Sequence, residues 1–536
     1  MATYGGPVTD DQHDRAPGKV AWEAAAAAVL RKARRLGDDD PDEAVWGKLT
    51  RSTLDGIAIS PLGTPELIDG LVTSGRPARV GAWDVRAELT LGADAKADNQ
   101  ALLADLEGGV TSLYLRGAGD WATVLDGILL DLAPVVLDGD ARGFLDHVGD
   151  RELHPDTNLG LDARDPDEEL AAEAEARGIR AYVVDATDVH DLGATEVQEL
   201  AYALKAGADL LRGAADVDRA NALLEFRFAV TDEQFTSIAK LRAARRTWAR
   251  VLELSGAQSR DQRQHAVTSR PMLSKYDPWV NMLRTTVAAF AAGVGGADAV
   301  TVLPFDTPLG EPDGFGRRIA RNTSALLIEE SHVAVVTDPA GGAYAVEKLT
   351  DDLAVAAWEL FGRLDDGAEL EPLIEATVAE RDRQVATRKR PITGLSEFPN
   401  LAEQLPERSA AHDAAGSEVR RYGAAYEALR DDPVPAPVLL APLGTVAQHT
   451  ARATFATNLL AAGGIGVTAD GSGPVACVVG TDAAYAEEGA ARAAALREAG
   501  AEWVIVAGKP HDWADDSCAL GVDAIDFLTR TREKLA

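Results

Sequence analysis

From about residue 80 onward, short apolar runs rich in β-branched residues alternate with segments of helical period. Because neighbouring parallel strands need a crossover connection, this alternation predicts a barrel of eight parallel strands with helices outside it, the (β/α)8 or TIM barrel. The third and fourth runs are weaker than the others. The eight predicted strands are Arg79–Val85, Val110–Leu115, Pro134–Leu137, Leu159–Leu161, Ala181–Val184, Leu223–Phe228, His265–Thr268 and Ala299–Leu303.

A second alternation of strands and helices occupies the last hundred residues. It predicts a doubly wound parallel sheet of the flavodoxin-like type over residues 438–536. The fold class is therefore α/β, with a TIM barrel followed by a flavodoxin-like domain. The predicted strands of this domain are Val438–Leu440, Gly466–Thr468, Val475–Val479, Trp503–Ala507 and a weak last one near Ala524.

The remaining segments divide the chain further. Residues 1–75 are predicted to form an N-terminal extension that contains an alanine-rich helix, Val20–Leu36, and residues 76–380 are predicted to form the barrel domain. Residues 381–437 are predicted to be a linker with an irregular first part and a helix over Ser409–Leu429. The linker ends in the proline-rich run Asp431–Pro437, which we expect to be stiff because proline fixes its own backbone and lacks a hydrogen-bond donor.

The composition narrows the range of functions that the chain can have. The chain has 536 residues, 86 acidic and 53 basic side chains and a formal charge of −33. Such a charge argues against nonspecific binding to nucleic acid or to an anionic membrane. Cys477 and Cys518 are the only cysteines, so a disulfide framework or a multi-cysteine metal site is not expected. With no signal peptide and no apolar run of membrane-spanning length, we expect a cytoplasmic protein.

Polar residues follow several of the predicted barrel strands. In TIM barrels the chemistry lies at the carboxyl ends of the strands, where Asp185, Arg227, His265 and Asp306 are expected. For each of them, the simplest alternative to a catalytic role is a structural one. The sequence contains no Walker loop, zinc-ligand spacing or nucleophile elbow.

Several long stretches, in the same order, resemble the methylmalonyl-CoA mutase family. They are far more specific than a short motif, and they extend over nearly the whole chain. The matching stretches are Asp55–Leu62, Ile238–Trp248, Asp277–Thr286, and Arg318–Thr323 continuing through Glu329–Ser331 to Asp338–Tyr344.

The resemblance implies a radical isomerase. The family interconverts methylmalonyl-CoA and succinyl-CoA with adenosylcobalamin, which generates the radical inside a barrel that encloses the acyl-CoA substrate. The cofactor supplies the difficult chemistry, while the protein supplies binding, orientation and exclusion of water. The flavodoxin-like domain would then be of the cobalamin-binding type.

The residues of the C-terminal domain depart from this pattern. Where the family has Asp-x-His for the cobalt, the loop after the first strand has Val446 and Gln448. Neither can replace an imidazole ligand and the carboxylate behind it. Where the family has Ser-x-Leu for the nucleotide tail, the chain has Gly480 and Asp482. We therefore expect no cofactor-binding residue and no metal ligand in this chain.

The barrel departs from the family pattern as well. The segment before the first strand, Arg76–Trp83, lacks the family's tyrosine, and the segment Asp156–Asp162 is too short to carry the family's substrate-binding glutamine and arginine. His265 matches a strand-end histidine that could bond a thioester carbonyl, but Arg270 replaces a glycine five residues later. We expect no catalytic residue, with His265 as a vestigial candidate.

These departures predict an auxiliary, non-catalytic subunit of a heterodimer. The homologous large, or α, subunit would carry adenosylcobalamin and the acyl-CoA substrate, and the N-terminal helix could lie on that partner or on its own barrel. One alternative is a standalone acyl-CoA isomerase with altered cofactor ligation through His449. Another is a regulatory protein that binds acyl-CoA without reaction.

Overall fold

The computed structural model describes residues 18–410 and 418–536. It begins with helices α1 (Lys19–Lys32) and α2 (Val45–Leu49), followed by an antiparallel ribbon of β1 (Arg51–Ser52) and β2 (Ala58–Ile59). The predicted N-terminal helix is thus confirmed, although it is four residues shorter at its carboxyl end.

Helix α1 packs against α2 of its own chain. The Trp22 and Trp46 ring centroids are 4.6 Å apart, and the Trp46 indole donates a 2.6 Å hydrogen bond to Glu23. Alanines such as Ala27 let the two helices approach closely around a small apolar core. Val20 and Val29 of α1 are exposed to solvent and lie on different sides of the helix.

The central unit is a closed barrel of eight parallel strands, as predicted. Its strands are β3 (Asp84–Thr90), β4 (Ser112–Gly117), β5 (Val135–Gly139), β6 (Asn158–Asp162), β7 (Arg180–Asp185), β8 (Leu224–Val230), β9 (Gln264–Thr268) and β10 (Ala299–Thr301). Only the first strand is clearly displaced from its predicted position. Gly81 has a φ of 80°, a left-handed conformation that interrupts the extended backbone, and β3 begins three residues later, at Asp84.

Helices surround the barrel and bury its outer face. They are α3 (Ala95–Glu107), α4 (Trp121–Val124), α5 (Ala141–Val148), α6 (Glu168–Ala176), α7 (Thr187–Asp191), α8 (Glu196–Gly213), α9 (Val217–Ala222), α10 (Gln234–Leu254), α11 (Pro278–Gly295), α12 (Gly314–Ala325), α13 (Tyr344–Asp365) and α14 (Glu371–Ala386). The large apolar core lies between strands and helices, where for example Trp248 packs edge-on against Phe226 with ring centroids 4.7 Å apart.

The segment between the two predicted domains differs from our prediction. Helix α14 extends to Ala386, the helix expected over Ser409–Leu429 is observed only as α15 (Ala424–Asp431), and its residues 411–417 lie outside the described part of the chain. The proline-rich run is not a linker, because strand β11 begins at Val434. The strand tolerates its prolines because its pairing with the neighbouring strand is irregular between Val434 and Val438, so few donors are needed there.

The C-terminal domain is a five-stranded parallel sheet in the order β12-β11-β13-β14-β15. This is the 2-1-3-4-5 order of flavodoxin-like folds and confirms the predicted class. The predicted fifth strand near Ala524 is wrong, since Asp523 caps a helix there and the strand lies earlier. The elements are β11 (Val434–Pro442), α16 (Val446–Ala462), β12 (Ile465–Thr468), β13 (Val475–Val479), α17 (Asp482–Ala484), α18 (Ala490–Glu498), β14 (Trp503–Ala507), β15 (Asp516–Cys518) and α19 (Ala524–Leu535).

Helix α15 fastens the C-terminal domain to the loop after β9. The Glu427 carboxylate, which is buried, accepts a 2.7 Å hydrogen bond from the backbone N–H of Lys275. The Arg430 guanidinium stacks 3.9 Å from the centre of the Tyr276 ring, and Asp431 accepts hydrogen bonds from both Lys275 and Tyr276. The two units therefore share a polar, well-packed joint.

None of the helices within residues 18–410 and 418–536 combines the length and apolarity that a membrane crossing needs.

Asp55 links the N-terminal segment to the barrel in a pH-dependent way. It accepts a hydrogen bond from Thr195, which caps α8, and burial together with the nearby Glu196 carboxylate raises the pKa of Asp55 to about 7. A raised pKa in the folded state stabilises the protein at low pH, and this contribution is lost as the pH rises towards 7. The variant Asp55→Asn keeps an uncharged side chain at every pH.

We therefore expect Asp55→Asn to gain stability relative to the parent chain as the pH rises from 4 to 7, with no further gain above 8. Urea unfolding at a series of pH values measures this difference. The exposed Asp69→Asn serves as the matched control. A pH-independent difference for Asp55→Asn would contradict the assignment.

Candidate functional site

The bore of the barrel is lined by charged side chains that pair with one another. At its amino-terminal half the buried Arg86 guanidinium contacts Glu225 at 2.8 Å, Asp84 at 3.2 Å and the Ser112 hydroxyl at 3.1 Å. Burial of such charges is tolerable only when each one is paired and hydrogen-bonded. This layer therefore closes the lower bore with its own side chains.

His265 lies directly above this layer, and both of its ring nitrogens are occupied. Nδ1 accepts a 3.2 Å hydrogen bond from Nε of Arg227, so Nε2 carries the proton that is donated to the Thr301 hydroxyl, 2.8 Å away. Burial and then the neighbouring Arg86 and Arg227 hold the pKa of His265 well below its usual value. The imidazole is neutral, and neither nitrogen is free to bond another group.

Arg227 and Tyr114 fill the centre of the bore. The guanidinium stacks on the phenol ring 4.0 Å from its centroid, and its Nη1 contacts the Tyr114 hydroxyl at 2.8 Å and Asp185 at 2.5 Å. The Tyr114 hydroxyl in turn donates a 3.1 Å hydrogen bond to Asp138. Three of the predicted strand-end residues, Asp185, Arg227 and His265, are thus brought into one network.

The fourth predicted residue, Asp306, does not join this network. It is fully buried, accepts a 2.6 Å hydrogen bond from Arg408 and packs against Gly316 at the start of α12. Its role is to hold Arg408, in the segment between the barrel and the C-terminal domain, against the barrel.

Arg270 spans the mouth of the barrel. It follows β9, and its Nη2 contacts both carboxylate oxygens of Glu88 on β3, at 2.6 and 2.7 Å, while its Nη1 lies 3.5 Å from Asp191. Burial favours the protonated form of Glu88, but the Arg270 and Arg116 charges outweigh it and lower the pKa of Glu88. The residue that replaces the family's glycine therefore takes up the space above the bore.

A polar cavity of about 430 Å³ remains beside this cluster. Arg116, Arg164 and Arg227 line it together with a larger number of carboxylates. Burial and the neighbouring Asp185 charge raise the pKa of Asp188 in this cavity to about 6. An excess of carboxylates suits a bound phosphate or carboxylate group poorly, because anions in such a cavity repel one another.

In the C-terminal domain, Val446 and Gln448 lie in a helix and not in the predicted loop. Val446 is the first residue of α16, and its side chain is 73% exposed. Gln448 closes a capping box with Thr445, whose backbone N–H donates to the Gln448 side-chain oxygen at 2.7 Å. Next to it, the Nδ1 atom of His449 is buried and has no hydrogen-bond partner within the described residues.

Gly480 and Asp482 border a space that Tyr485 fills. The Tyr485 hydroxyl accepts a 2.9 Å hydrogen bond from the Gly480 N–H and donates at 2.8 Å to the carbonyl of Ala507. The Arg452 guanidinium covers the ring at 4.9 Å and contacts Asp482 at 2.5 Å. The carboxyl edge of the sheet is therefore closed by an aromatic ring.

Sequence reasoning missed Tyr114 and Tyr485. Both are buried tyrosines whose hydroxyl groups are hydrogen-bonded. A tyrosine in an otherwise apolar run could have revealed Tyr114, whereas Tyr485 stands in a polar, helical stretch that gives no such signal.

Comparisons with known proteins place this architecture in a family. The family model for methylmalonyl-CoA mutase matches residues 171–462. Together with a closed barrel and a 2-1-3-4-5 sheet, this match shows that the chain belongs to the methylmalonyl-CoA mutase family.

Within that family the chain is of the small-subunit type. It is 43% identical to the methylmalonyl-CoA mutase small subunit of Streptomyces virginiae, over 96% of both chains. It is 40% identical to a probable small subunit of Mycobacterium tuberculosis, over 91% of this chain and 92% of that one. With the small subunit of Propionibacterium freudenreichii subsp. shermanii the identity is 33%, over 96% of this chain and 94% of the relative.

Removing the Arg270 charge tests whether the ion pair between Arg270 and Glu88 stabilises the mouth of the barrel. In Arg270→Leu the largely buried Glu88, whose side chain is 13% exposed, loses its main partner, and we expect a loss of about 3 kcal/mol in the free energy of unfolding. The double variant Arg270→Leu with Glu88→Leu should recover part of that loss, because Glu88 is no longer left without its arginine, whereas Asp191 still loses its 3.5 Å contact with Arg270. Urea unfolding measures both.

Arg250→Leu is the matched control, since Arg250 pairs with Glu253 on the surface. We expect it to change stability by less than about 1 kcal/mol. Equal losses for the two arginines would contradict the buried pairing.

Tyr485→Phe tests the closed edge of the C-terminal sheet. It removes one hydroxyl and leaves the Gly480 N–H and the Ala507 carbonyl without their partner, which should cost about 1–3 kcal/mol. Tyr344→Phe, at an exposed tyrosine, should cost much less. Chemical unfolding followed by near-ultraviolet circular dichroism compares the two, and no difference between them would count against the proposed role of the hydroxyl.

Proposed function

We propose that this chain is a non-catalytic subunit of a methylmalonyl-CoA mutase, an isomerase of methylmalonyl-CoA and succinyl-CoA. In this proposal it forms a heterodimer with the large subunit, and the large subunit carries out the reaction. The observation that carries the proposal is Arg270, which occupies the mouth of the barrel in bidentate contact with Glu88.

The filled bore supports this assignment. A substrate that reacts inside a barrel needs an open, dry space and polar groups free to bind it. Here the polar groups along the axis, from Arg86 through His265 to Arg227, bond one another. The retained histidine has a neighbour on each nitrogen and is a structural residue in this proposal.

The C-terminal domain supports placing adenosylcobalamin on the partner. Its residues do not fit the cofactor, because Gln448 caps a helix at the position of the family's cobalt ligand and Tyr485 fills the edge of the sheet beside Gly480. Asp482, next to that edge, contacts Arg452. We therefore assign no catalytic, cofactor-binding or metal-binding residue to this chain.

We further propose a contact of the N-terminal segment, a division into domains and a cellular location for the subunit. The N-terminal segment, residues 1–75, contributes to contact with the large subunit through exposed side chains of α1. Residues 76–380 form the barrel domain, and the degenerate cobalamin-binding-like domain is the sheet domain that begins with β11. The two buried free thiols, Cys477 and Cys518, agree with a location in the reducing cytoplasm.

Coexpression with a methylmalonyl-CoA mutase large subunit tests the proposal. We expect a one-to-one complex in size-exclusion chromatography that carries cobalamin absorbance and mutase activity. The isolated chain should show neither. Titration of the isolated chain with adenosylcobalamin should leave both the corrinoid spectrum and the thermal unfolding of the chain unchanged.

Cobalamin and turnover in the isolated chain would overturn the proposal. They would favour the standalone isomerase, and His449→Ala would then test whether the half-buried imidazole ligates the cofactor. Binding of acyl-CoA without turnover by the isolated chain would instead favour the regulatory protein.

A further inference from the structure

Helices α11 and α12 form a surface that lacks carboxylates. Within Pro278–Gly295 the only charged residue is Arg284, which is buried, and within Gly314–Ala325 the charged residues are all arginines. In a chain of net charge −33, two neighbouring surface helices without an acidic side chain are unusual. Depletion of charge together with enrichment in aromatic residues and arginine is the composition of the centre of a protein interface.

Large apolar side chains project from the same surface. Leu283 is 68% exposed and Trp279 is 49% exposed, one helical turn apart on α11. Phe315 of α12 lies next to Trp279, because both rings pack on the buried Phe305, with centroids 5.9 and 5.0 Å from it. Leu326 and Val335 extend the apolar surface beyond the end of α12. We call this set the α11–α12 face.

The segment after α12 is exposed but held in place. Most side chains from Glu329 to Ala345 are exposed, although this segment contains one of the longest matches to the mutase family. Buried Arg242 anchors it by contacting Asp338 and Glu347, and the Gly342 N–H donates a 3.0 Å hydrogen bond to Glu347. An exposed surface with fixed geometry binds with a smaller entropic cost than a floppy one.

The charges at the two ends of this face are of opposite sign and unpaired. Arg318 covers the Phe315 ring at the start of α12, while Glu329 and Glu330 lie in the π-helical turn that ends it. None of the three has an ion-pair partner within residues 18–410 and 418–536. If a homologous chain packed against this face about a twofold axis, the basic end of one chain would meet the acidic end of the other.

We propose that the α11–α12 face is the docking surface for the large subunit. This inference rests on the proposed function, and it adds the location and chemistry of the contact. The occupant is a homologous barrel chain with an apolar centre and a basic and an acidic end arranged in the opposite direction. A second copy of this chain is disfavoured, because two chains of charge −33 repel each other.

Affinity measurements with charge insertions test the docking surface. In Leu283→Arg a cation replaces the apolar centre, and we expect the dissociation constant for the large subunit to rise by about 30-fold or more. Leu254→Arg is the control, because Leu254 is 61% exposed at the end of α10 and lies outside the face. We expect it to bind within about twofold of the parent chain, and thermal unfolding of the two variants should match that of the parent.

Hydrogen–deuterium exchange of the complex gives an independent readout. Residues 329–345 should exchange more slowly in the complex than in the isolated chain. The backbone amides around Leu129 and Leu132, whose side chains are also apolar and exposed, should exchange at the same rate in both samples.

The outcomes separate the two proposals. If the parent chain binds the large subunit and Leu283→Arg binds equally well, the α11–α12 face is the wrong surface and the proposed function survives. If the parent chain does not bind the large subunit at all, the proposed function fails and the docking surface with it. If the isolated parent chain is a dimer that Leu283→Arg converts to a monomer, the face belongs to a second copy and the proposal is overturned.

Discussion

The ion pair between Arg270 and Glu88 is the contact that closes the mouth of this barrel. It joins the loop after β9 to β3 across the mouth, and it does so with two short hydrogen bonds in a desolvated position. A guanidinium and a carboxylate in that arrangement satisfy each other, so neither is available to a ligand. The rest of the bore follows the same rule, with Arg86 and Arg227 each neutralised by neighbouring carboxylates.

The sequence allowed much of the fold to be predicted, because each barrel strand is an apolar, β-branched run flanked by helices. The errors have local causes. Gly81 interrupts the run Arg79–Val85, which otherwise resembles a strand, and the prolines after Asp431 suggested a linker where β11 begins. Proline content is a weak guide where strand pairing is irregular, since such a stretch needs few hydrogen-bond donors.

The candidate site was less predictable than the fold. The sequence predicts that the family's polar residues are missing and that Arg270 stands where the family has glycine, and both statements stay predictions. What fills the resulting space could not, because Tyr114 and Tyr485 bond to groups on other strands, and a local pattern carries no information on such distant partners. Whether a lost site is open or closed is decided by packing, and packing is a property of the three-dimensional structure.

The joint between α15 and the loop after β9 has a mechanical consequence. Lys275 and Tyr276, which hold the C-terminal domain, lie five and six residues beyond Arg270, in the same loop. A rotation of the C-terminal domain at this joint would move the loop that carries Arg270. The domain therefore cannot swing without disturbing the ion pair that closes the mouth of the barrel. Enzymes that open and shut around a ligand place flexible loops between their moving parts. In this chain a hydrogen-bonded contact takes that place, so the barrel and the C-terminal domain should move as one rigid body.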